Sequence, residues 1–252
     1  MDDGYADNLH NAKPLLEHYS VPATVFVTTG SLNSPNGFWW DELETLVLQA
    51  RQLPNTLLVT IDRKAHRFRT ATPFWTYAAR LLRRSAPSSA HIYHRLRARL
   101  LTLSNAERSK VLAEVRAQVD AAPRLESCRV LSRKELRELV RDGLIEIGAH
   151  TVTHPVLSAL SAKDQEAEIR QSKNDLEQIV ETTITAFAYP YGSPLSYTAA
   201  TISAVREAGF AIACTTLADH VRPNTDPFQL PRFSVGNWSR QELARQLGKI
   251  GW

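Results

Sequence analysis

The sequence predicts an α/β fold built on a parallel sheet with crossover helices, either open or closed as a barrel. Two observations carry this. Downstream of Cys128, strand-like and helix-like segments alternate, the pattern that a parallel sheet with covering helices requires. One of those strands runs directly into His150-Thr-Val-Thr-His154, at the strand end where parallel α/β folds place their sites. No internal repeat and no low-complexity linker divides the chain.

The elements follow in order. Leu9, Ala12, Leu15 and Leu16 fall at helical spacing, Val21-Pro22 breaks that helix, and Ala23–Thr28 is a β-rich run. Gly30 to Gly37 reads as loop, and Phe38-Trp39-Trp40 then opens an amphipathic helix to about Gln49. Leu57–Ile61 and Arg67–Arg69, separated by Asp62-Arg63-Lys64, read as a hairpin. Residues 73–122 have helical periodicity. Within them, positions 80–99 hold six arginines and no acid, a solvated helix face or, alternatively, a patch for an anionic substrate or a membrane surface.

Ser132-Arg-Lys-Glu135 is a capping box, Leu136, Leu139 and Val140 form the apolar stripe behind it, and Gly143 is a natural stop. Leu144–Ile147 follows as a strand. Ile169, Ser172, Leu176 and Ile179 mark a long helix, and Thr185–Tyr189 the next strand. Ile202 and Val205 sit in a helix ending at Gly209, which leads into the strand Phe210–Thr215. A short strand at Arg232–Val235 and a final helix from Ser239 complete the pattern.

The chain of 252 residues is long enough for a substantial core, and its net charge of +4 is too weak to imply a nucleic-acid partner. No apolar run approaches the roughly 18 residues of a membrane helix. The acidic start lacks the features of a signal peptide, so a cytoplasmic or membrane-peripheral location is expected. Cys128 and Cys214, the two cysteines, read as buried thiols, not as a zinc motif. Oligomeric state is not legible.

Three elements carry chemistry. The β-branched residues between His150 and His154, with Pro155 after them, disfavour a helix, so the two imidazoles either converge on a metal from a loop or, taken alone, are an incidental pair. Two histidines alone make an incomplete metal site. Asp2-Asp3-Gly4 can complete it: adjacent carboxylates point apart, so one can ligate while the other stays a base, with Gly4 permitting the turn. A frayed acidic terminus is the other reading. Finally, Phe187-Ala-Tyr-Pro-Tyr-Gly192 ends a strand in a turn that can aim a backbone N–H at a developing oxyanion, or be a structural aromatic corner.

In this order, the three elements resemble the motifs of the polysaccharide deacetylases of NodB-homology type, carbohydrate esterase family four. Asp2-Asp3-Gly4-Tyr5 resembles the family's Thr-Phe-Asp-Asp-Gly motif, His150-Thr-Val-Thr-His154 its His-Ser/Thr-x-x-His motif, and Ala188-Tyr-Pro-Tyr-Gly192 its Arg-x-Pro-Tyr-Gly motif. The similarity covers roughly residues 2–30 and 128–238. It implies a deformed (β/α) barrel, incomplete at the N-terminus, as a single domain with a mostly helical insertion at about 36–127. It further implies Asp3, His150 and His154 as ligands of a divalent metal, usually zinc, Asp2 as general base, and the Tyr191 backbone N–H as oxyanion donor. The implied reaction removes N-acetyl (or O-acetyl) groups from a polysaccharide or oligosaccharide, in cell-envelope or exported polysaccharide synthesis.

The chain departs from the family pattern in three places. Ala188 stands where the family has an arginine that orients the catalytic aspartate, and Arg232 is the candidate replacement. The late Leu-x-His motif that supplies a general acid is not visible; His220, in a loop, is the sole histidine after His154, and Asp2, after accepting the water's proton, is the alternative source, so the identity of the general acid stays open. The strand that precedes Asp-Asp-Gly in the family is missing, which predicts an opened sheet, Asp2 and Asp3 on a mobile terminus, and a sequence that is a fragment or starts upstream of Met1. The alternative function is a catalytically impaired carbohydrate-binding protein with the same fold, and a weaker one a metal-independent glycoside hydrolase using two carboxylates. Burial in the core is expected of Phe38–Trp40, the shaping of a sugar groove being the other option.

Overall fold

A computed structural model describes residues 1–34, 37–69, 89–123 and 126–249 of the chain. Its centre is a four-stranded parallel sheet in the order β1-β4-β5-β6, with β1 Ala23–Val27, β4 Ile145–Ala149, β5 Ala186–Ala188 and β6 Ile212–Cys214. Strands β1 and β4 pair from Ala23 opposite Ile145 to Val27 opposite Ala149. Their consecutive buried residues mark strands covered on both faces, as parallel sheets require.

Crossover helices supply that cover. Helix α1, Lys13–Tyr19, continues a π-helical turn over Asn8–Ala12. Helix α5, Arg133–Leu139, precedes β4; α6, Ala162–Val180, joins β4 to β5; and α7, Ala199–Glu207, joins β5 to β6. The predicted capping box forms, with Ser132 accepting from the Glu135 backbone N–H and Glu135 accepting from that of Ser132. Leu136, Leu139, Ile169, Leu176, Ile179, Val205 and Phe187 pack in the main core between these helices and the sheet. The α/β architecture expected from the alternation is the one found.

A second core lies in the segment between β1 and β4. Helix α2, Trp39–Val47, the antiparallel hairpin of β2, Thr56–Ile61, and β3, Lys64–Arg69, and helices α3, Ser89–Leu100, and α4, Asn105–Arg116, enclose Leu43, Leu46, Leu57, Val59, Phe68, Leu96, Leu100 and Val115. The hairpin turns on Asp62 and Arg63, both at positive φ as a type I′ turn demands. The helical pattern expected at 73–88, with Arg80, Arg83 and Arg84, lies outside the described residues.

Two expectations are corrected. Met1–Asp3 is not a loose end: the Met1 amino group donates to Thr24 O at 2.9 Å, Phe26 N–H to Met1 O at 2.8 Å and Thr28 N–H to Asp3 O at 3.4 Å. This segment runs beside β1, satisfying the edge that a bare sheet would leave open. The strand expected at Arg232–Val235 does not form. The pairing with β6 lies just earlier, where Leu230 exchanges hydrogen bonds with Ala213 and Thr215. Pro231 has no donor to extend the ladder, and Val235 is 71% exposed. The last helix, α8, Arg240–Lys249, is as expected.

Candidate metal centre

Two chain segments bring three candidate ligands together at the C-terminal ends of the strands. Asp3 arrives from the segment beside β1, while His150 and His154 leave β4. His150 Nε2 lies 3.5 Å and His154 Nε2 3.3 Å from Asp3 Oδ1. One ligand atom from each of the three residues falls within 4.8 Å of the others. Both histidines are buried, and Asp3 Oδ1 is buried without any hydrogen-bond partner.

That oxygen is informative because His150 Nδ1 sits 2.7 Å from Ala188 O. A carbonyl accepts only, so Nδ1 carries the proton and Nε2 presents a lone pair towards a carboxylate oxygen. Burial, then the neighbouring His154, pushes the His150 pKa down to about 4, so the ring is neutral near pH 7. Two lone pairs facing each other in a buried site call for a cation between them. The donor set, one carboxylate and two imidazoles, fits a divalent metal such as zinc.

The loop that presents the histidines is strained. Thr151 (φ 64°) and His154 (φ 54°) both occupy the left-handed region, as do Asp3 (φ 77°) and Tyr191 (φ 63°). Glu168 of α6 holds the loop in that shape, accepting from Val152 N–H at 2.8 Å, Thr153 N–H at 2.9 Å and Thr153 Oγ1 at 2.6 Å. Thr151 Oγ1 accepts from His154 N–H at 3.1 Å. Glu168 went unread in the sequence: on its helix it looks like any solvated glutamate.

Asp2 lies beside this cluster, paired with Arg232: guanidinium Nη1 donates to Oδ1 at 2.8 Å and Nη2 to Oδ2 at 2.9 Å. Arg232 Nε donates to Thr215 O at 3.0 Å, which fixes the fork to β6's end. Burial alone would raise the Asp2 pKa, but the hydrogen bonds and charge of Arg232 outweigh it and hold the carboxyl below its ordinary range. Arg232 is thus the guanidinium paired with Asp2, a place that Ala188 cannot fill.

Tyr191 stands on the opposite wall, its ring 4.8 Å from that of His154. Among the described residues its backbone N–H has no acceptor, while its carbonyl accepts from Thr216 Oγ1 at 2.8 Å. The next residue must be glycine: Gly192 has φ +57°, and a Cβ there would stand 2.6 Å from Thr216 N.

The aromatic cluster at the start of α2 reaches the site. Phe38 is buried as expected, but Trp40 is only half-buried, with its ring 4.8 Å from that of His154 and stacked on Phe38 at 4.4 Å. Its Nε1 donates to Tyr5 Oη at 2.9 Å, and Tyr5 Oη donates to Asp41 Oδ2 at 2.9 Å. Burial, then Asp41, pushes the Tyr5 pKa far up, so the phenol stays protonated and can donate. This network was not legible in the sequence. His220 is exposed in a loop beside Phe233 and takes no part. Cys214 is buried and Cys128 half-buried, with no disulfide among the described residues. No described helix is long and apolar enough to cross a membrane.

A family model described as polysaccharide deacetylase matches residues 99–213. A putative polysaccharide deacetylase of Bacillus subtilis (strain 168), YxkH, is 28% identical over 86 residues, which cover 34% of this chain and 29% of that one. Two solved structures share the fold. The Streptococcus pyogenes deacetylase PplD, in complex with acetate, superposes with a TM-score of 0.53 at 18% identity, over 97% of this chain and 66% of that one. IcaB from Ammonifex degensii gives a TM-score of 0.53 at 17% identity, over 97% and 69%. The chain therefore spans less than two thirds of the length of these first two relatives.

Proposed function

We propose that this chain is a member of the polysaccharide deacetylase family whose model matches residues 99–213, and a metal-dependent hydrolase that removes N-acetyl (or O-acetyl) groups from a polysaccharide or oligosaccharide. The observation that carries the reading is the buried, unpartnered Asp3 Oδ1 facing the two imidazole Nε2 atoms. Asp3, His150 and His154 would hold the cation. When bound, a divalent metal supplies a Lewis acid that acidifies water and polarises an acetyl carbonyl.

The protein's own groups do the rest. Asp2 stays ionised, so its carboxylate takes a proton from the attacking water. Arg232 fixes the plane of that carboxylate and limits how basic it becomes. Once protonated, Asp2 is the group that would return the proton to the departing amine or alcohol. The free Tyr191 N–H meets the charge growing on the acetyl oxygen. The Trp40 and Tyr191 rings flank His154 and exclude bulk water from it.

The test measures zinc content and acetate release from an N-acetylated oligosaccharide for the wild type, His150→Ala, His154→Ala and the double variant. Both readouts should collapse together. Stoichiometric zinc in the double variant would overturn the site, and glycan binding without acetate at any metal concentration would leave a carbohydrate-binding protein in its place.

A further inference from the structure

A cleft of about 560 Å³, within the usual size of a small-molecule site, lies between α4 of the second core and α6 of the main one. Its floor is the outer side of the metal loop, through Val152, Thr153 and Pro155, the residues around His154. One wall belongs to α6, where Asp164, Ala167, Gln171 and Asn174 follow at steps of three and four and therefore share one helix face. The other wall is the start of α4, with Asn105 and Arg108 one turn apart. A narrower cleft of about 290 Å³ shares Asn105, Arg108, Val152 and Thr153 with the first. It reaches Phe38, whose ring stacks on Trp40 beside His154. The two clefts thus form one groove that starts next to the metal site.

The charged groups of the wider cleft are already engaged. Arg108 is buried and donates to Leu100 O at 3.0 Å, Leu103 O at 3.0 Å and Asn105 Oδ1 at 3.2 Å, which ties down the turn after α3. Arg170 pairs with Glu166, Glu168 holds the metal loop, and Asp164 accepts from the Ser161 hydroxyl. Two guanidiniums and two carboxylates also cancel, so the cleft offers no net charge to select an ion. What remains is neutral. Among the described residues, Asn105 Nδ2, Gln171 Oε1 and the whole Asn174 amide make no hydrogen bond, and all three side chains are exposed to the cleft. Such amides both donate and accept, and Leu103, Val152 and Leu160 set apolar surface between them. Neutral donors and acceptors around apolar surface suit the hydroxyls and C–H faces of sugar rings better than a phosphate or a metal ion.

We infer that this groove binds neutral sugar residues of the same chain whose acetyl group lies at the metal site, with Asn105, Gln171 and Asn174 as its hydrogen-bonding side chains. The inference rests on the deacetylase reading and narrows its substrate class to a glycan long enough to reach from the metal site to α6, which excludes single sugars and disaccharides as the preferred substrate. It also gives the second core a use, since α4 builds one wall of the groove.

The experiment compares the zinc-loaded full chain with the double variant Gln171→Ala/Asn174→Ala. Both side chains are exposed and alanine suits a helix, so the variant should keep the wild-type melting temperature. KM for acetate release is measured on N-acetylglucosamine disaccharides and hexasaccharides in β-1,3, β-1,4 and β-1,6 linkage. In at least one series the wild-type KM should fall about tenfold from the short to the long substrate, the worth of one or two amide hydrogen bonds, and the variant should lose most of that gain. Calorimetry on the chelator-treated chain should show the same hexasaccharide bound about tenfold more tightly by wild type than by the variant. Equal length dependence in both proteins, or none in wild type, overturns the groove and leaves the deacetylase reading standing. Absence of acetate from every substrate fails that reading instead, and calorimetry then decides: hexasaccharide binding weakened in the variant keeps the groove as a glycan site, and binding that is equal or absent in both proteins strikes it.

Discussion

Arg232 closes over Asp2 with both arms of its guanidinium, at 2.8 and 2.9 Å, while its third donor is held by Thr215 O. The pair joins the segment beside β1 to the segment beside β6, the two outer sides of the sheet. One contact therefore serves fold and chemistry together. Arg232→Lys keeps the charge but loses the fork, so turnover should fall by about 10²-fold, nearer to the loss in Arg232→Ala than to wild type. Zinc content should stay stoichiometric in both variants, because Asp2 lies outside the proposed ligand set of Asp3, His150 and His154. Steady-state kinetics with metal analysis checks this, and wild-type turnover by Arg232→Lys would show that charge alone suffices.

Glu168 makes the metal loop depend on helix α6. Its carboxylate accepts three hydrogen bonds from Val152 and Thr153, next to two non-glycine residues at positive φ. Without it the loop can relax from its strained shape. Glu168→Ala should lower metal affinity by about 10–100-fold, and Glu168→Gln, which keeps one acceptor, by less. Competition against a zinc chelator gives the affinities. Affinities equal to wild type in Glu168→Ala would mean that the loop holds its own conformation.

The Tyr5 phenol bridges Trp40 and Asp41, accepting from one and donating to the other. Tyr5→Phe leaves the Trp40 N–H without that acceptor and takes a donor from Asp41. The expected cost is about 1–3 kcal/mol of stability. Trp40, freed from its anchor beside His154, should also raise KM more than it lowers kcat. Thermal denaturation and kinetics on the same preparation separate the two effects.

The local features were legible. Two histidines after a strand, a Ser-x-x-Glu box and a glycine after an aromatic turn are each set by neighbouring residues, so sequence spacing encodes them. Arg232 could be read by charge logic because Ala188 leaves a carboxylate without its counter-ion. Other features depend on how distant segments pack. Glu168 reaches back to a loop from one face of a helix, and nothing in its own surroundings distinguishes it from Glu166. Trp40 was expected in the core on hydrophobicity, yet the second core places it at the site's rim. The Met1–Asp3 segment was expected to be loose, because the edge hydrogen bonds of β1 cannot be assigned before the sheet order is known.

The Glu135 carboxylate couples acid stability to the helix that precedes β4. It accepts from Arg129 Nη1 and Nη2, each at 2.9 Å, and from the Ser132 N–H at 2.8 Å. The Arg129 bonds, helped by Ser132 and His10 and only partly opposed by burial, hold its pKa well below the usual glutamate range. A pKa depressed on folding means that the stabilisation is complete above the unfolded value and is lost as pH falls below it towards the folded value. Between about pH 4.5 and pH 2 the advantage of wild type over Glu135→Gln should therefore shrink steadily, starting from about 1–2 kcal/mol near neutrality. Urea denaturation of both proteins across that range reads it directly. A difference that stays constant down to pH 2 would assign the loss in Glu135→Gln to the cap's shape and not to its charge.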